Sequence, residues 1–579
     1  MSNKSSFRLL KYLSRYKFSI VIAIVATLVA VICSAFMPKY YGRATTIIIN
    51  DFVSTGRIEL SSLYPIIKVL ITLYTVSMVF TYVMQYLAVK LTKDVVYSLR
   101  KDLRKKFEKL PISYYDQNET GQIMSKITND ITVIGNNLGQ IITQFLQSLF
   151  AIISIVVVMF TVSVDLSFVI LASIPITIFV SLKRAKKSQP LYRKKQNALG
   201  GVNSYVEEYF TGYEVINTFD RKEETLKDFK KLNDKLCNEA IKAEKISASI
   251  FPTSLFINNI TYVLITIIGF AQVLNGRLEV GYVQSMIQYV KQLGQPIGNL
   301  ANISSLLQST IAASDRVFEV LDNPEEDNSE TLELQEVKGK LDIENLFFGY
   351  DKTKNILKNI SFNIKPGETV AIVGPTGSGK TTFINLLMRF YDATSGKIKL
   401  DGTDITKYKK ETVRRKMGMV LQETWLFNGT IMDNLKYGND SATEEDVYKA
   451  ATRAGADTFI RQTAQGYNTI LNEKMDNISA GQKQLLTIAR ALVGNPDIYI
   501  LDEATSNIDS KTEKTIQKAM DKIMSEKTTI VIAHRLSTIE NADKIVVIKD
   551  GELLEQGNHK ELLSQKGFYY DLYTAQYNG

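Results

Sequence analysis

The 579-residue chain contains only two cysteines and two histidines. Cys33 lies within an apolar stretch and Cys237 lies far away in a charged one. The sequence therefore offers neither a disulfide framework nor a cysteine–histidine metal cluster. With 11 prolines, 32 glycines and 22% charged residues, the composition also excludes a collagen-like, low-complexity or largely disordered chain. We expect a folded protein.

Acidic residues are fewer than basic ones, which leaves a formal net charge of +9. A surplus of this kind can indicate a nucleic-acid partner. Here the surplus Lys and Arg crowd beside apolar stretches, where they would set the orientation of membrane helices. We therefore expect a lipid bilayer as the partner and no nucleic acid.

Long charge-free runs fill the first half of the chain. They lie at about 18–38, 69–89, 131–164, 166–182 and 246–276. Each is long enough, or nearly so, to cross a hydrocarbon core as a helix. Asp165 separates the third run from the fourth, which predicts a tight hairpin with Asp165 in its outer turn. A sixth candidate at about 279–310 is interrupted by Lys291, and the best count is six spans.

The segments between these runs differ in charge. The N-terminal lead and residues 90–130 and 183–245 are rich in Lys and Arg, whereas 39–64 and 277–279 are short or balanced. Because cytoplasmic segments carry the excess of Lys and Arg, we predict a multi-pass protein of the cell membrane with both termini in the cytoplasm. The segments 90–130 and 183–245 each keep a helical pattern with one break, at 110–112 and at 211–213 respectively.

A polar, acidic segment at 322–329 is typical of a linker. Beyond it, β-rich runs such as 369–373 and 498–501 alternate with amphipathic helical patterns. This alternation predicts an α/β domain with a mainly parallel sheet.

A glycine-rich loop directly follows the first of these β-rich runs. It matches the pattern G-x-x-x-x-G-K-[ST] over Gly374, Pro375, Thr376, Gly377, Ser378, Gly379, Lys380 and Thr381. The glycines let backbone N–H groups turn toward a phosphate, Lys380 adds a positive charge at the β- and γ-oxygens, and the Thr381 hydroxyl can ligate Mg²⁺. We therefore predict a nucleotide site, with Thr382 among its binding residues.

Two carboxylates, Asp502 and Glu503, end the apolar run at 498–501. Asp502 is placed to hold the Mg²⁺ shell and Glu503 to polarise the attacking water. His534 follows another apolar run, at the edge from which parallel sheets present ligand groups. A neutral imidazole there can bond a γ-phosphate oxygen, although a purely structural histidine is the alternative. His559 lies in a helix-start context and is expected to be structural.

The soluble half resembles the nucleotide-binding domain of an ATP-binding cassette (ABC) transporter over about residues 340–570. The resemblance implies ATP and Mg²⁺ as ligands and Tyr350, in Phe348-Gly349-Tyr350, as the aromatic that stacks on adenine. It also implies Gln422 as the glutamine that senses Mg²⁺ and water, and His534 as the switch histidine.

Further motifs of the resemblance concern contacts between two such domains. Residues 477–482 resemble the signature segment, with Ser479, Gly481 and Gln482 as its ATP-contacting residues. Glu473 falls where exporters carry an acid for crosstalk between domains. Residues 506–509, ending in Asp509, resemble the loop that touches the opposite protomer.

The membrane half is similar to the six-helix domain of multidrug-type exporters. The implied organisation is an all-α transmembrane domain at 1–320, a linker at 321–339 and an α/β P-loop NTPase domain at 340–579. Residues 110–121 and 207–216 resemble the two cytoplasmic turns that press on the ATPase. In that family one chain is half a transporter, and each ATP is held between the phosphate loop of one protomer and the signature segment of the other.

One departure from the family pattern concerns the signature, where Ile478 and Ala480 replace the usual Leu and first Gly. The added methyl of Ala480 is expected to restrict φ and crowd the ligand, with a tolerated variation as the alternative. In heterodimeric exporters one subunit keeps the catalytic Glu and His while carrying an altered signature. The resemblance thus favours the catalytic-glutamate subunit of a heterodimer over a homodimer.

The predicted function is ATP-driven export of amphipathic drugs, lipids or peptides by alternating access. An ATP-gated channel or regulator and a homodimeric lipid or peptide flippase are the alternatives. For the cargo, Lys291 either faces a cavity, which would favour an anionic or amphipathic molecule, or snorkels to the interface. The aromatic residues of the second span are expected to face lipid or pack against neighbours rather than to line a cavity.

Overall fold

The computed structural model describes residues 2–327, 330, 332–334, 336–351, 353–421, 424–472, 477–502, 509–532 and 539–577. The chain divides into two compact units. Unit 1 comprises Met1–Glu108 and Glu119–Asn323, and unit 2 comprises Lys109–Asn118 and Pro324–Gly579. A short segment from within the N-terminal half therefore belongs to the C-terminal unit.

Unit 1 is built from helices. They are α1 (Ser2–Ser14), α2 (Lys17–Thr55), α3 (Leu60–Phe107), α5 (Thr120–Ser125), α6 (Ile131–Phe160), α7 (Val164–Thr211), α8 (Tyr213–Thr218), α9 (Lys222–Ala248), α10 (Ile250–Leu274) and α11 (Val280–Asp322). The short helix α4 (Ile112–Gln117) belongs to unit 2. A π-helical turn, Lys126–Asp130, leads into α6.

The predicted apolar runs lie in the long helices α2, α3, α6, α7, α10 and α11. Four stretches are long and apolar enough to cross a membrane, Lys17–Thr55, Leu60–Phe107, Thr120–Phe160 and Leu255–Leu274, and a shorter apolar stretch covers Val164–Val180. The helices α3 and α7 have 48 residues each, about 70 Å at 1.5 Å per residue, against about 30 Å for a hydrocarbon core. Both therefore extend well beyond a bilayer core, as the unbroken basic segments predicted.

The two predicted breaks are confirmed, since α3 gives way to α4 around Pro111 and α7 ends immediately before Gly212. The position predicted for Asp165 is wrong by a few residues. The connection covers 161–163, and Asp165 lies in the first turn of α7, where Ser163 Oγ accepts a hydrogen bond from Leu166 N at 3.5 Å. A carboxylate near a helix N-terminus is favourable because of the helix dipole.

Small residues bring α2 and α11 into close contact. A Cβ added to Gly281 would lie 1.8 Å from the Gly42 carbonyl oxygen, so any side chain there would separate the two helices. Nearby, the buried Tyr289 hydroxyl donates to the Ala35 carbonyl at 3.0 Å. Such close packing is typical of membrane helices, which associate through van der Waals contact and interhelical hydrogen bonds.

Unit 2 contains two main sheets. Its strands are β1 (Leu341–Phe348), β2 (Leu357–Ile364), β3 (Thr369–Val373), β4 (Ser395–Leu400), β5 (Thr403–Asp404), β6 (Met417–Val420), β7 (Gly429–Thr430), β8 (Ile470–Leu471), β9 (Ile498–Asp502), β10 (Thr528–Ile532), β11 (Lys544–Lys549) and β12 (Glu552–Gly557). One sheet has the order β2-β1-β4-β5 with antiparallel pairs, and the other has the order β12-β11-β3-β10-β9-β6. Within the second sheet only β12 pairs antiparallel.

Helices complete unit 2. Besides α4, they are α12 (Lys380–Leu387), α13 (Lys410–Lys416), α14 (Ile431–Lys436), α15 (Glu444–Arg453), α16 (Asp457–Gln462), α17 (Ala480–Gly494), α18 (Ser510–Glu526), α19 (His559–Gln565) and α20 (Phe568–Tyr577). The strands β3 and β10 are buried along their whole length, as expected for the centre of a sheet covered on both faces. The predicted combination of a helical membrane domain and an α/β domain with a mainly parallel sheet is confirmed.

An ion pair inside unit 1 generates a stability prediction. Arg316 on α11 donates to both oxygens of the buried Asp130, at 2.9 and 2.5 Å. Arg316→Met is expected to lower the free energy of unfolding of unit 1 by about 1–3 kcal/mol, less than for a fully buried pair because Arg316 is half exposed. Thermal denaturation in detergent measures the change.

The matched control is Arg104→Met, which breaks the exposed pair between Arg104 and Glu108 and should cost no more than about 0.5 kcal/mol. Equal effects of the two substitutions would contradict the importance of the buried carboxylate.

Candidate nucleotide-binding site

The parallel sheet brings the predicted site residues to one edge. Register pairs Ile532 at the end of β10 with both Asp502 on β9 and Ile372 on β3, and Val420 on β6 with Leu501 on β9. The carboxyl ends of β3, β6, β9 and β10 therefore lie side by side. This is the edge at which parallel α/β sheets bind ligands.

The glycine-rich loop joins β3 to α12, as predicted. Gly374 passes so close to the neighbouring strand that an added Cβ would lie 2.0 Å from the Ile548 carbonyl oxygen. Gly379 precedes α12 at a φ of 103°, a conformation that residues with a side chain rarely adopt. These two glycines allow the backbone to wrap over the N-terminus of α12, where N–H groups favour an anion.

Two side chains of the loop are poised for a phosphate. Ser378 is 2% exposed, and its Oγ has no hydrogen-bond partner. The Lys380 Nζ donates to the carbonyl oxygens of Gly374 and Pro375, at 2.8 and 3.0 Å. Because a buried polar atom without a partner is costly, the Ser378 hydroxyl and the loop N–H groups fit an oxygen-rich anion such as a triphosphate.

The electrostatics of the loop follow from its burial. Burial lowers the pKa of Lys380, and the negative charge of Asp502 at the end of β9 acts in the opposite direction. Asp502 and the exposed Thr381, in the first turn of α12, provide oxygen atoms of the kind that Mg²⁺ prefers. Thr382 is buried in the same turn.

Tyr350 borders the loop and is half exposed. Its ring lies 5.1 Å from Phe348 and 5.0 Å from Tyr391, both edge-on, and its hydroxyl contacts Thr382 Oγ1 at 3.4 Å. Asn385 donates to the same hydroxyl at 3.2 Å. A half-exposed ring held in this way can stack on a flat heterocycle, and the role of Tyr350 in binding adenine stays a prediction.

Sequence reasoning missed Tyr391, which follows α12. Its hydroxyl donates to Asp116 Oδ2 on α4 at 2.6 Å, while its ring contacts Tyr350. Burial, followed by the adjacent Asp116 carboxylate, raises the pKa of Tyr391, so its hydroxyl stays a donor at neutral pH. The short helix α4 is thereby connected through one side chain to Tyr350, the predicted adenine-stacking residue.

The acidic segment after α11 is also held by unit 2. The Glu326 backbone N–H donates to the Lys109 carbonyl at 2.8 Å, and Arg414 contacts both carboxylate oxygens of Glu326, at 3.0 and 2.6 Å. Burial opposes ionisation of Glu326, but Arg414 and Lys410 outweigh it and lower the pKa of this carboxyl. This part of the predicted linker is therefore an anchored strap.

The signature segment begins α17. Ser479 caps the helix, accepting from Gln482 N at 3.2 Å, while Gln482 Oε1 accepts from Ser479 N at 2.9 Å. Ile478 is buried in the core, so it replaces leucine as an apolar anchor, and Gly481 is buried as well. The expected restriction of φ at Ala480 is wrong, because Ala480 has an ordinary helical φ, which alanine adopts readily. Of the two effects expected for Ala480, only crowding of the ligand by the added methyl group remains.

Asp509 has a structural role within the chain. Its Oδ1 accepts hydrogen bonds from the N–H groups of Lys511 and Thr512, at 3.1 and 3.0 Å, and so caps α18. These backbone bonds lower the pKa of Asp509. His559 is structural, as predicted, since its Nδ1 lies 2.8 Å from the Tyr569 hydroxyl.

Several predicted residues lie outside the described part of the chain. They are Gln422, Glu473, Glu503, the 506–508 part of the loop and His534. The strands β6, β9 and β10, which precede Gln422, Glu503 and His534 by one or two residues, end at the edge that carries the phosphate loop. Among the described residues no group of three or more His, Cys, Asp or Glu side chains forms a metal cluster.

Comparisons with known proteins agree with this geometry. Residues 20–297 match the family model described as "ABC transporter transmembrane region". Residues 357–506 match the family model described as "ABC transporter". The chain is 39% identical over 477 residues, 82% of its length and 76% of the relative's, to a fatty acid ABC transporter ATP-binding/permease protein of Mycobacterium tuberculosis.

Two further relatives cover similar or longer parts of the chain. The uncharacterized ABC transporter ATP-binding protein YfiC of Bacillus subtilis is 36% identical over 573 residues, 98% of this chain and 94% of that protein. An ATP-dependent lipid A-core flippase of Syntrophus aciditrophicus is 36% identical over 485 residues, 83% of this chain and 80% of the flippase.

The contact between Tyr391 and Asp116 generates a prediction. Tyr391→Phe removes the hydroxyl and keeps the ring, so amide hydrogen exchange in α4 should accelerate about tenfold, as expected for the loss of a charge-assisted hydrogen bond. ATP affinity should change less than about threefold because the packing against Tyr350 is retained. Mass-spectrometric exchange and nucleotide titration measure the two quantities.

Tyr350→Phe is the matched control, because it removes a hydroxyl from the same aromatic cluster without touching α4. Unchanged exchange of α4 in Tyr391→Phe, or an equal acceleration in the control, would show that this hydrogen bond does not hold the turn.

Proposed function

We propose that this chain, a member of the ABC transporter family, is one half of a dimeric exporter. It joins a transmembrane region to an ATP-binding domain that couples ATP hydrolysis to transport. Its cargo is an amphipathic small molecule, moved outward across the cell membrane. The single observation that carries the proposal is the built phosphate loop, with the unpartnered Ser378 hydroxyl and the Lys380 ammonium at the sheet edge.

The residues of this edge divide the chemistry among them. The loop N–H groups and Lys380 bind the β- and γ-phosphates, and Tyr350 stacks on the adenine. Asp502 and Thr381, with Gln422, would hold Mg²⁺, which would supply positive charge to neutralise the phosphate oxygens. Glu503 accepts a proton from the attacking water, and His534 donates to a γ-phosphate oxygen.

The second half of each ATP site comes from the partner chain. Ser479 is exposed and Gln482 is partly exposed at the N-terminus of α17, where helix N–H groups favour an anion. Placed against the ATP of a partner, Ser479, Gly481 and Gln482 complete a sandwich, with Asp509 at the same seam. Closure is favoured only while the γ-phosphate is present, so hydrolysis releases it.

A groove on unit 2 supports the dimer. It has a volume of about 840 Å³ and is lined by Trp425, Tyr437, Arg490 and neighbouring residues. In unit 1, Phe210 and Phe219 flank α8 and are each 71% exposed, which is unusual for large apolar side chains in water. We assign the groove to the α8 segment of the partner chain, which transmits closure to its membrane helices.

The membrane arrangement completes the proposal. Six spans, contributed by α2, α3, α6, α7, α10 and α11, form the transmembrane domain at 1–320, followed by a linker at 321–339 and the nucleotide-binding domain at 340–579. Both termini lie in the cytoplasm because the extensions rich in Lys and Arg must lie there. Names of relatives that mention fatty acids and lipid A support a lipid-like cargo.

The partner is proposed to be a different half-transporter. Ala480 places a methyl group at the helix N-terminus that would face the partner's ATP, and this crowding weakens hydrolysis there. This chain would then supply Glu503 and His534 to the active site that is completed by the partner's own signature. The alternative is a homodimeric flippase, and the ATP hydrolysis of the chain purified alone distinguishes it from the heterodimer.

The first experiment tests the catalytic assignment. Glu503→Gln in the assembled transporter should reduce ATP hydrolysis at least a hundredfold while ATP remains bound, because the water is no longer deprotonated. Filter-binding with labelled ATP and phosphate release measure both. Hydrolysis at the wild-type rate would refute the role of Glu503.

Accumulation of a lipid probe in inside-out vesicles that stops without ATP distinguishes export from an ATP-gated channel.

The second experiment tests the heterodimer. The chain purified alone should hydrolyse ATP slowly, and Ala480→Gly should raise its rate several-fold by removing the methyl from the ATP-facing turn. The conservative change Ile478→Leu is the control and should leave the rate unchanged, since Ile478 is buried in the core. Robust, cooperative hydrolysis by the unmodified chain alone would contradict the heterodimer and favour a homodimeric flippase.

A further inference from the structure

A polar cavity of about 470 Å³ lies among the membrane helices of unit 1. Its wall is contributed by α2, α3, α6 and α11. The polar side chains of this wall are Thr27, Ser34, Ser77, Thr81, Gln147, Ser148, Lys291, Gln292, Gln295 and Asn299. A cavity this polar is unusual inside a bundle of apolar helices, and its polar lining favours a polar ligand.

The cavity lies near the middle of the predicted spans. Lys291 is eleven residues into α11, about 16 Å along its axis and so about half of a 30 Å hydrocarbon core. Ser77 and Thr81 occupy the middle of the apolar run at 69–89, and Ser148 occupies the middle of the run at 131–164. The polar groups are thus gathered at the depth where lipid offers them no partner.

Some of these polar groups are satisfied within the helices and others are not. Thr27 Oγ1 donates to the Ala23 carbonyl, and Ser77 Oγ donates to the Ala30 carbonyl. Ser148 is 1% exposed, yet its Oγ has no hydrogen-bond partner, and Gln292 Oε1 is likewise buried without one. A buried hydroxyl and a buried amide therefore line the cavity with unused hydrogen-bonding capacity.

Lys291 carries the only formal charge in the apolar runs. No Asp, Glu, Lys or Arg occurs in 18–38, 69–89, 131–164, 166–182 or 246–276, and Lys291 is the only one in 280–314. Among the described residues it has no ion-pair partner. An ammonium at this depth is costly and usually faces a water-filled cavity or an opposite charge. The second of its predicted alternatives, snorkelling, would instead take it away from this wall.

A second cavity extends the basic character toward the predicted cytoplasmic end. It has a volume of about 590 Å³, lies between α3 and α6, contains Lys93 and Arg100, and shares Gln147 with the first cavity. Thr81 and Lys93 are twelve residues apart on α3, about 18 Å along the helix. Basic groups therefore occur at two depths on one connected wall.

We infer that the Lys291 cavity binds the anionic head group, a carboxylate or a phosphate, of an amphipathic cargo. Lys291 is its counter-ion, the Ser148 hydroxyl donates a hydrogen bond to it, and Lys93 and Arg100 attract it from the cytoplasmic side. This assignment rests on the proposed export function and names the chemical class of its substrate. A cationic or neutral cargo would leave the Lys291 charge uncompensated.

Equilibrium binding to the assembled transporter in nanodiscs tests the assignment. The probes are radiolabelled oleate, oleoyl-lysophosphatidic acid and the neutral ester methyl oleate. Lys291→Met should weaken binding of both anions at least tenfold and leave methyl oleate unchanged, whereas Lys291→Arg should stay within about threefold of wild type. Ser148→Ala should weaken binding of the anions about threefold. Loss for only one of the two anions would still support an anionic head group and would narrow it to a carboxylate or to a phosphate.

The matched control is Lys68→Met, which removes an exposed lysine of α3 outside the cavity and should leave anion binding and ATP hydrolysis unchanged. Unaltered anion binding in Lys291→Met, or an equal loss for methyl oleate, would overturn the assignment. Tight anion binding by a wild-type protein that shows no ATP-driven transport would instead refute the export function and leave the cavity assignment intact.

Discussion

The structure depends on the placement of one ammonium and one glycine-rich turn at the carboxyl edge of a parallel sheet. Because β3 is buried on both faces, its end is fixed, and Lys380 is held over the loop by the carbonyls of Gly374 and Pro375. The same edge presents Asp502 from β9. Charge, hydrogen-bond donors and an oxygen ligand thus converge on one spot, which explains how this edge can bind a triphosphate.

Contacts within unit 2 connect this site to α4 and to the strap that follows α11. Tyr350 contacts Tyr391, and Tyr391 donates to Asp116 on α4, so one aromatic pair links the predicted adenine-stacking residue to this short helix. The Lys109 carbonyl in turn accepts a hydrogen bond from Glu326 in the strap that follows α11. Both ends of the covalent path back to the membrane helices are therefore anchored on the nucleotide-binding unit.

Much of this was predictable from sequence because the decisive signals are local. Charge-free runs mark the membrane helices, and the spacing of glycines, Lys380 and Thr381 marks the loop, since both depend on short stretches of chain. The contact between Tyr391 and Asp116 was not predicted because the two residues are 275 positions apart, and nothing in the segment 110–121 indicates its partner. The φ argument for Ala480 failed because the first helical residue of α17 needs no special conformation. The sequence left two alternatives for Lys291, because the pattern of one helix does not show which side chains of the other three helices lie near it.

We propose that ATP draws two nucleotide-binding domains together around the shared phosphate site. The most direct test of this proposal is the distance between spin labels placed on the two nucleotide-binding domains of the assembled transporter, at Lys518→Cys on the exposed face of α18 in this chain and on the partner's domain. Cys33 and Cys237 are first replaced by Ser. ATP with Mg²⁺ should shorten the distance in the Glu503→Gln background, and ADP should not. A distance that is the same with ATP, with ADP and without nucleotide would contradict the account.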